Sequence, residues 1–201
     1  MKKLFRNLCV AIALGIPGMA IATPIISVNP DYTNGTVGDV ISVDILWDGS
    51  ADPEYLGAWD IDLSFDNSIL SFTSATFGFG VDSLGCIAFF TCDAFESSPG
   101  IIDLFEESLD SVADLMANQD GLANQFVLAS LTFDAIGNGG TALAFTGSTL
   151  TFGDASGAAI SPNLINGFVC IGEDGCVTVP EPTAILLLLS GLVLLRRFRK
   201  R

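Results

Sequence analysis

No histidine occurs anywhere in the 201 residues, and lysine and arginine are scarce. The eight basic residues sit at the two ends, as Lys2, Lys3 and Arg6 and as Arg196, Arg197, Arg199, Lys200 and Arg201, so the body between them has no cationic side chain. Each absence closes a class of chemistry. Without His, neither a Ser-His-Asp nor a Cys-His apparatus can be assembled, and without a Lys in the body the Ser-Lys and Schiff-base routes close as well. A phosphate-cradling glycine loop would lack its lysine. All 23 acidic residues lie in that body, and charge of one sign repels nucleic acid and anionic lipid headgroups. Nucleic-acid binding is rejected on that ground. No side-chain salt bridge can form there either, so an apolar core, bound cations or covalent links must offset the self-repulsion.

The basic ends frame two apolar segments. Lys2, Lys3 and Arg6 precede the run from Leu8 to Ala13, and Ala20-Ile21-Ala22 places small residues at the two positions read by signal peptidase. Pro17 and Gly18 break the apolar helix before that site. Residues 1–22 are read as a signal peptide, with the mature chain starting at Thr23. At the other end Pro180-Glu181-Pro182 is followed by the uncharged run Thr183 to Leu195 and then by Arg196, Arg197, Arg199, Lys200 and Arg201. As a helix that run reaches about 20 Å, short of a bilayer core of roughly 30 Å. Arg196 and Arg197 extend the reach by snorkelling, and the positive-inside rule keeps the basic end cytoplasmic. The expectation is a short C-terminal transmembrane helix, with everything before Pro180 outside. So dense a terminal cluster of cations argues against a buried helix of a soluble domain.

Residues 179–201 resemble the PEP-CTERM sorting signal of Gram-negative bacteria that make exopolysaccharide. Its parts are present in order: Pro180, Glu181 and Pro182, the apolar helix, and the basic stop. The resemblance implies recognition by an exosortase and removal of the tail near Pro-Glu-Pro. The chain would then be anchored transiently in the inner membrane and passed to the cell envelope or the extracellular matrix. It implies nothing about the activity of the body.

One core of ordinary size fits between residues 23 and 172, with 173–179 as a linker to the tail. Of five cysteines, Cys9 leaves with the signal peptide. Cys86 with Cys92 and Cys170 with Cys176 have matched spacing, which in an oxidising compartment favours two short disulfide staples. Metal binding is the alternative, and it would have to do without histidine and with spacing wider than the usual zinc pattern.

Short apolar-polar alternations dominate the body. Strands are predicted over Pro24–Val28 at a sheet edge, Val37–Trp47, Gly57–Asp66, Ile69–Phe77, Ile101–Phe105, Phe126–Ala135, Thr141–Phe145, Ser148–Phe152 and Ile165–Val169. Turns are predicted at Asn34-Gly35, Asp66-Asn67-Ser68 and Gly137–Gly140. Asn34-Gly35-Thr36 also has the form of a glycosylation acceptor, but in a bacterial chain the turn reading is preferred. Leu109, Val112, Leu115 and Met116 recur at helical spacing, with a capping pattern at Ser111-Val112-Ala113-Asp114. The fold class is all-β, an antiparallel β-sandwich with one short helix.

Val37-Gly38-Asp39 leading into a strand, Gly57 to Leu70, and Phe126 to Ala135 together resemble the strand pattern of cohesin domains. That family is a jelly-roll β-sandwich related to a carbohydrate-binding fold, whose members bind dockerin modules through one sheet face. The cysteine loops and the cation-free body depart from it, so no binding residue is carried over.

Carboxylates are the only catalytic currency left. Glu96, Glu106 and Glu107 are candidates for glycoside hydrolysis, but Trp47 and Trp59 face inward on their strands and leave few aromatic platforms for a sugar. Calcium would relieve the crowding of charge, with Asp60 and Asp62 on one side of a strand and Asp66 beyond them as candidate ligands. No EF-hand pattern occurs, so a solvated acidic face is the competing reading. The sequence points to an exported, non-enzymatic sandwich that binds a protein partner or exopolysaccharide, a carbohydrate-binding module or a small glycosidase being the alternatives. No cofactor is expected, apart from calcium.

Overall fold

Alternation decides the strands, and the computed structural model, which describes residues 23–51, 54–172 and 176, shows where each alternation is buried. The strands are β1 (Ile25–Asn29), β2 (Tyr32–Gly35), β3 (Val40–Asp48), β4 (Leu56–Ser64), β5 (Leu70–Phe77), β6 (Cys92–Ser98), β7 (Ile101–Glu107), β8 (Gln125–Ala135), β9 (Gly139–Asp154), β10 (Asn163–Ile165) and β11 (Gly167–Ile171). One helix, α1 (Val112–Gly121), separates β7 from β8. One sheet has the order β10-β1-β3-β8-β5, the other β2-β11-β9-β4-β7-β6.

The two sheets face each other across a single core. Ile41, Val43, Ile45 and Trp47 of β3 point inward, as do Trp59, Ile61 and Leu63 of β4, continued by Phe65. Leu131 and Phe133 of β8 meet them, with Phe133 edge-on to both Phe65 and Phe72. Burying such side chains contributes about 1.5–3 kcal/mol each, which is what holds this one-signed body together.

Both sheets are mixed, and this corrects the purely antiparallel expectation. β1 pairs in parallel with β10, and β2 in parallel with β11. The physical reason is that these short strands join the sheets as flanking segments and not as arms of tight hairpins. β10 covers β1, which is therefore not an edge strand. Asn34-Gly35 does not make the expected turn: it closes β2 against Cys170 and Ile171. The turn comes one step later, where Asp39 accepts from the Thr36 amide and hydroxyl at 2.7 and 2.9 Å.

Three further expectations are revised. Thr141–Phe145 and Ser148–Phe152 form one continuous strand, β9, whose register against β4 jumps between Asp60 and Asp62. Gly147 absorbs the bulge at φ +103°, where a Cβ would strike the Asp62 carboxylate. The stretch 165–169 splits into β10 and β11, one in each sheet. Finally, Ser111 caps α1 as expected, its hydroxyl accepting from the Asp114 amide at 3.3 Å, yet Leu109, Val112 and Met116 stay exposed. Leu115 and Gln119 are the residues that α1 buries.

Gln119 ties the helix to the sandwich. It accepts from the Leu56 amide at 2.9 Å and donates to the carbonyls of Leu56 at 2.7 Å and Gly80 at 3.0 Å. Asn124, just past the C-terminal end of α1, makes a second tie, accepting from the Trp47 indole at 2.9 Å and donating to the carbonyls of Gly49 and Glu54.

Candidate functional site

The loop from Gly78 to Cys92 is the part of the molecule that folding alone does not explain. Phe79, Leu84, Ile87, Phe89 and Phe90 all stand in solvent, with Leu84 82 %, Phe89 85 % and Phe90 70 % exposed. Exposure of so many large apolar side chains in one loop marks an interaction surface. Nor is the loop slack. Gly78 donates to the Leu128 carbonyl, and Asn118 of α1 donates to the Phe79 carbonyl at 2.7 Å. The Ser83 amide and hydroxyl both donate to Asp110, each at 2.9 Å.

The tip is stapled. Cys86 and Cys92 form a disulfide, with Cα atoms 5.5 Å apart. Inside it the Ile87 amide donates to the Thr91 hydroxyl, the Phe90 and Thr91 amides to the Ile87 carbonyl, and the Phe89 amide to the Cys92 carbonyl, each at 2.9 Å. Phe89 has φ +64°, a left-handed conformation that L side chains with bulk avoid. The surrounding bonds over-determine that conformation and hold the Phe89 ring outward.

Beneath the tip lies a buried polar cluster. Trp59 donates its indole N–H to Glu106 Oε2 at 3.1 Å. Glu106 and Asp82 are both almost wholly enclosed, and Glu106 Oε1 and Asp82 Oδ2 have no hydrogen-bond partner. Burial, reinforced by the Asp82 charge and opposed by the Trp59 hydrogen bond, raises the Glu106 pKa to about 8. β6 carries this cluster into contact with the staple, since Cys92 pairs with Glu106 in the β6–β7 ladder. A shallow depression of about 230 Å³ opens beside it, lined by residues including Trp59, Asp60, Glu107 and Thr151.

The outer face of the same sheet is acidic. Asp62 lies opposite Asp103 across β4 and β7. The Asp103 pKa is raised by partial burial and then by Asp60, Asp62 and Asp93, and that of Asp60 by partial burial and then by Asp62. Asp93 directly follows Cys92, so the acidic face runs up to the aromatic tip.

The structure sorts the sequence candidates. Both expected staples are formed, Cys86–Cys92 and Cys170–Cys176, the latter with Cα atoms 5.6 Å apart. Asp60 and Asp62 gather with Asp103 and Asp93, whereas Asp66 ends at a turn, accepting from the Ser68 amide at 2.9 Å and hydroxyl at 2.6 Å. Among the described residues, no group of three or more Cys, Asp or Glu is placed to hold a metal ion. Glu96 pairs with Ile102 and Glu106 with Cys92, four register positions apart, or about 13 Å along the sheet. Glycosidase carboxylates stand roughly 5–9.5 Å apart across a groove, and Glu107 points outward while Glu106 points in. These three glutamates do not form a catalytic pair.

Sequence reasoning missed β6, Asp82 and the exposed phenylalanines. The available signal was Ile87-Ala88-Phe89-Phe90 between two cysteines, an apolar run too short and too tightly stapled to be buried. Pro180, Glu181, Pro182, Arg196, Arg197, Arg199, Lys200, Arg201 and residues 1–22, the expected signal peptide, lie outside the described residues. Among the described residues no helix is long and apolar enough to cross a membrane.

No family model matches the chain, and no curated protein matches it. Solved structures do. CaCohA2 of Clostridium acetobutylicum superposes with a TM-score of 0.58 at 19% identity, covering 76% of this chain and 93% of that one. The fold is cohesin-like. The Coh-OlpA domain of Clostridium thermocellum, solved with the dockerin Doc918, gives 0.58 at 14% identity, covering 75% of this chain and all of its own. The sixth cohesin of Acetivibrio cellulolyticus scaffoldin B, solved with a Cel5 dockerin, gives 0.57 at 19% identity with coverage of 75% and 100%. At such identity the likeness concerns the cohesin-like architecture alone.

Proposed function

We propose that the chain is an exported, non-catalytic docking module: a cohesin-like sandwich that binds a protein partner at the cell surface or in the extracellular matrix. The observation that carries this reading is the stapled loop, which presents Phe79, Leu84, Ile87, Phe89 and Phe90 to solvent on a rigid frame. Preorganised apolar side chains bind well because little conformational freedom is left to lose. The dockerins bound to Coh-OlpA and to the scaffoldin B cohesin support a protein as the partner class. Export follows from the leader, residues 1–22, cut by signal peptidase. The tail supplies transient inner-membrane anchoring and exosortase recognition through Pro180, Glu181 and Pro182.

Two measurements test the reading. The intact mass of protein recovered from outside the cell is expected to lack residues 1–22, to end near Pro180 and to carry two disulfides. A photo-crosslinking residue placed at Phe89 in producing cells is expected to yield a discrete adduct that protease destroys. Full-length protein resident in the cytosol would end the export reading. A Phe89 adduct that only polysaccharide-degrading enzymes remove would shift the assignment to exopolysaccharide binding.

A further inference from the structure

We infer that the aromatic tip and the acidic face beside it form one composite docking surface, shaped for a protein partner whose apolar contact is rimmed by lysine and arginine. The inference rests on the docking reading and narrows it to a surface and a partner chemistry.

Two features of the surface meet at Cys92. On one side the segment Ser83 to Cys92 carries no charge and exposes Leu84, Ile87, Phe89 and Phe90. On the other, Asp93, Asp103, Asp60 and Asp62 spread across β6, β7 and β4 without a single cationic side chain anywhere in the described body to answer them. The crowding is visible in Asp60 and Asp103, whose protons are held more tightly than usual by partial burial and then by their neighbours. A partner that brings cations over this face while covering the phenylalanines would satisfy both halves at once.

The other occupants fit less well. A second copy would bring the same all-negative body against this one, and like charges facing each other oppose association. A bilayer is disfavoured by position. Ile171 and Cys170 pair with Gly139 and Gly140 at the start of β9, and Cys176 is stapled there to Cys170. The tip lies at the other end, where Glu106 faces Trp59 and Cys92. From Trp59 to Ser64, and then from Ala144 to Gly140, the ladders separate the two ends by about 30 Å. A domain tethered through its C-terminal side therefore turns this surface away from the anchor.

The test uses the exported protein and two synthetic peptides of equal leucine and phenylalanine content, one flanked by lysine and arginine, the other by glutamate, read by fluorescence anisotropy. The basic peptide is expected to bind at least about tenfold more tightly than the acidic one and to weaken steeply as salt screens the face. Phe89→Ser with Phe90→Ser is expected to abolish binding of the basic peptide. Asp93→Asn with Asp103→Asn is expected to erase the preference while leaving residual apolar binding. Equal binding of both peptides, or indifference to the phenylalanine changes, overturns the inference. So does self-association at micromolar concentration that Phe89→Ser removes, or tip-dependent binding to phosphatidylcholine vesicles. The broader reading fails separately: tip-dependent peptide binding with no protein adduct from Phe89 in producing cells would leave the surface chemistry right and the physiological docking role wrong.

Discussion

The Trp59 indole N–H donates to Glu106 Oε2 at 3.1 Å, inside the sandwich and directly under the stapled loop. A carboxyl this deeply buried, with its other oxygen unpartnered and Asp82 close by, is disfavoured as an anion. Its pKa stands at about 8 against an ordinary 4.5.

Stability should therefore fall as pH rises. Between the two values the folded protein keeps a proton that the unfolded chain has released, so the contribution is full below the unfolded value and lost as pH climbs through about 8. The slope across that window is about 1.4 kcal/mol per pH unit. On the acid side Asp48, Asp66 and Asp154 act oppositely: hydrogen bonds from Ser50, Ser68 and Ser156 respectively lower their pKa values, so what they contribute is present above the ordinary carboxylate value and lost as pH falls. Denaturant titrations between pH 3 and 9 should show maximal stability near about pH 5. Glu106→Gln should flatten the alkaline limb and raise stability at pH 8; an unchanged limb would show that another group controls it.

Gln119 should be among the most costly polar positions to lose. Gln119→Leu leaves the Leu56 amide and the carbonyls of Leu56 and Gly80 without their side-chain partner. Unsatisfied buried groups cost about 1–3 kcal/mol each, partly recovered by the added apolar volume, and a net loss of about 2–4 kcal/mol is expected in urea unfolding. Because Gly80 directly follows Phe79 in the loop, amide exchange there should quicken as well. Protection there equal to that of the unaltered protein would mean the helix does not brace the loop.

The strands with strict alternation were legible in the sequence because one face of each meets the core. β3, β4 and β8 fall within a few residues of their expected bounds, and both disulfides follow from spacing. What escaped has a common cause. β2, β6 and β10 are held by their neighbours in the sheet and carry little pattern of their own: β6 reads Cys-Asp-Ala-Phe-Glu-Ser-Ser, mostly exposed. α1 was placed by its cap, but its buried face was misjudged because Gln119, a polar residue, is its deepest link to the sandwich. Helical periodicity finds apolar stripes and is blind to a buried amide. The Asp82–Glu106 couple lay beyond reach for a similar reason, since Asp82, in the loop before β6, and Glu106, on β7, are brought together only by the folded chain.

The two disulfides should separate stability from docking. Each closes a loop of the same sequence separation, six, and chain entropy assigns each about 2 kcal/mol. Cys86→Ser with Cys92→Ser should lose that stability and also loosen Phe89 and Phe90, weakening peptide binding. Cys170→Ser with Cys176→Ser should lose similar stability and leave binding intact, because it lies at the far end of β9. Equal binding losses from both pairs would show that the tip is not held by its own staple.

The acidic face should respond to cations in a graded and rather unspecific way. Asp62 and Asp103 stand directly opposite each other, and like charges in that relation are destabilising. Asp103→Asn is thus expected to stabilise the fold at neutral pH by about 0.2–1 kcal/mol. Calcium should raise the melting temperature of the unaltered protein, and Asp60→Asn with Asp62→Asn should remove most of that rise. Asp66→Asn should not remove it, since Asp66 is already engaged by Ser68. Sodium chloride at matched ionic strength separates screening from ligation: a comparable rise points to relief of crowding by any cation, whereas a response to calcium alone, lost with Asp60 and Asp62, assigns those residues to a bound ion. Identical melting curves in calcium and in chelator would rule out both, and would leave the apolar core to withstand the repulsion by itself.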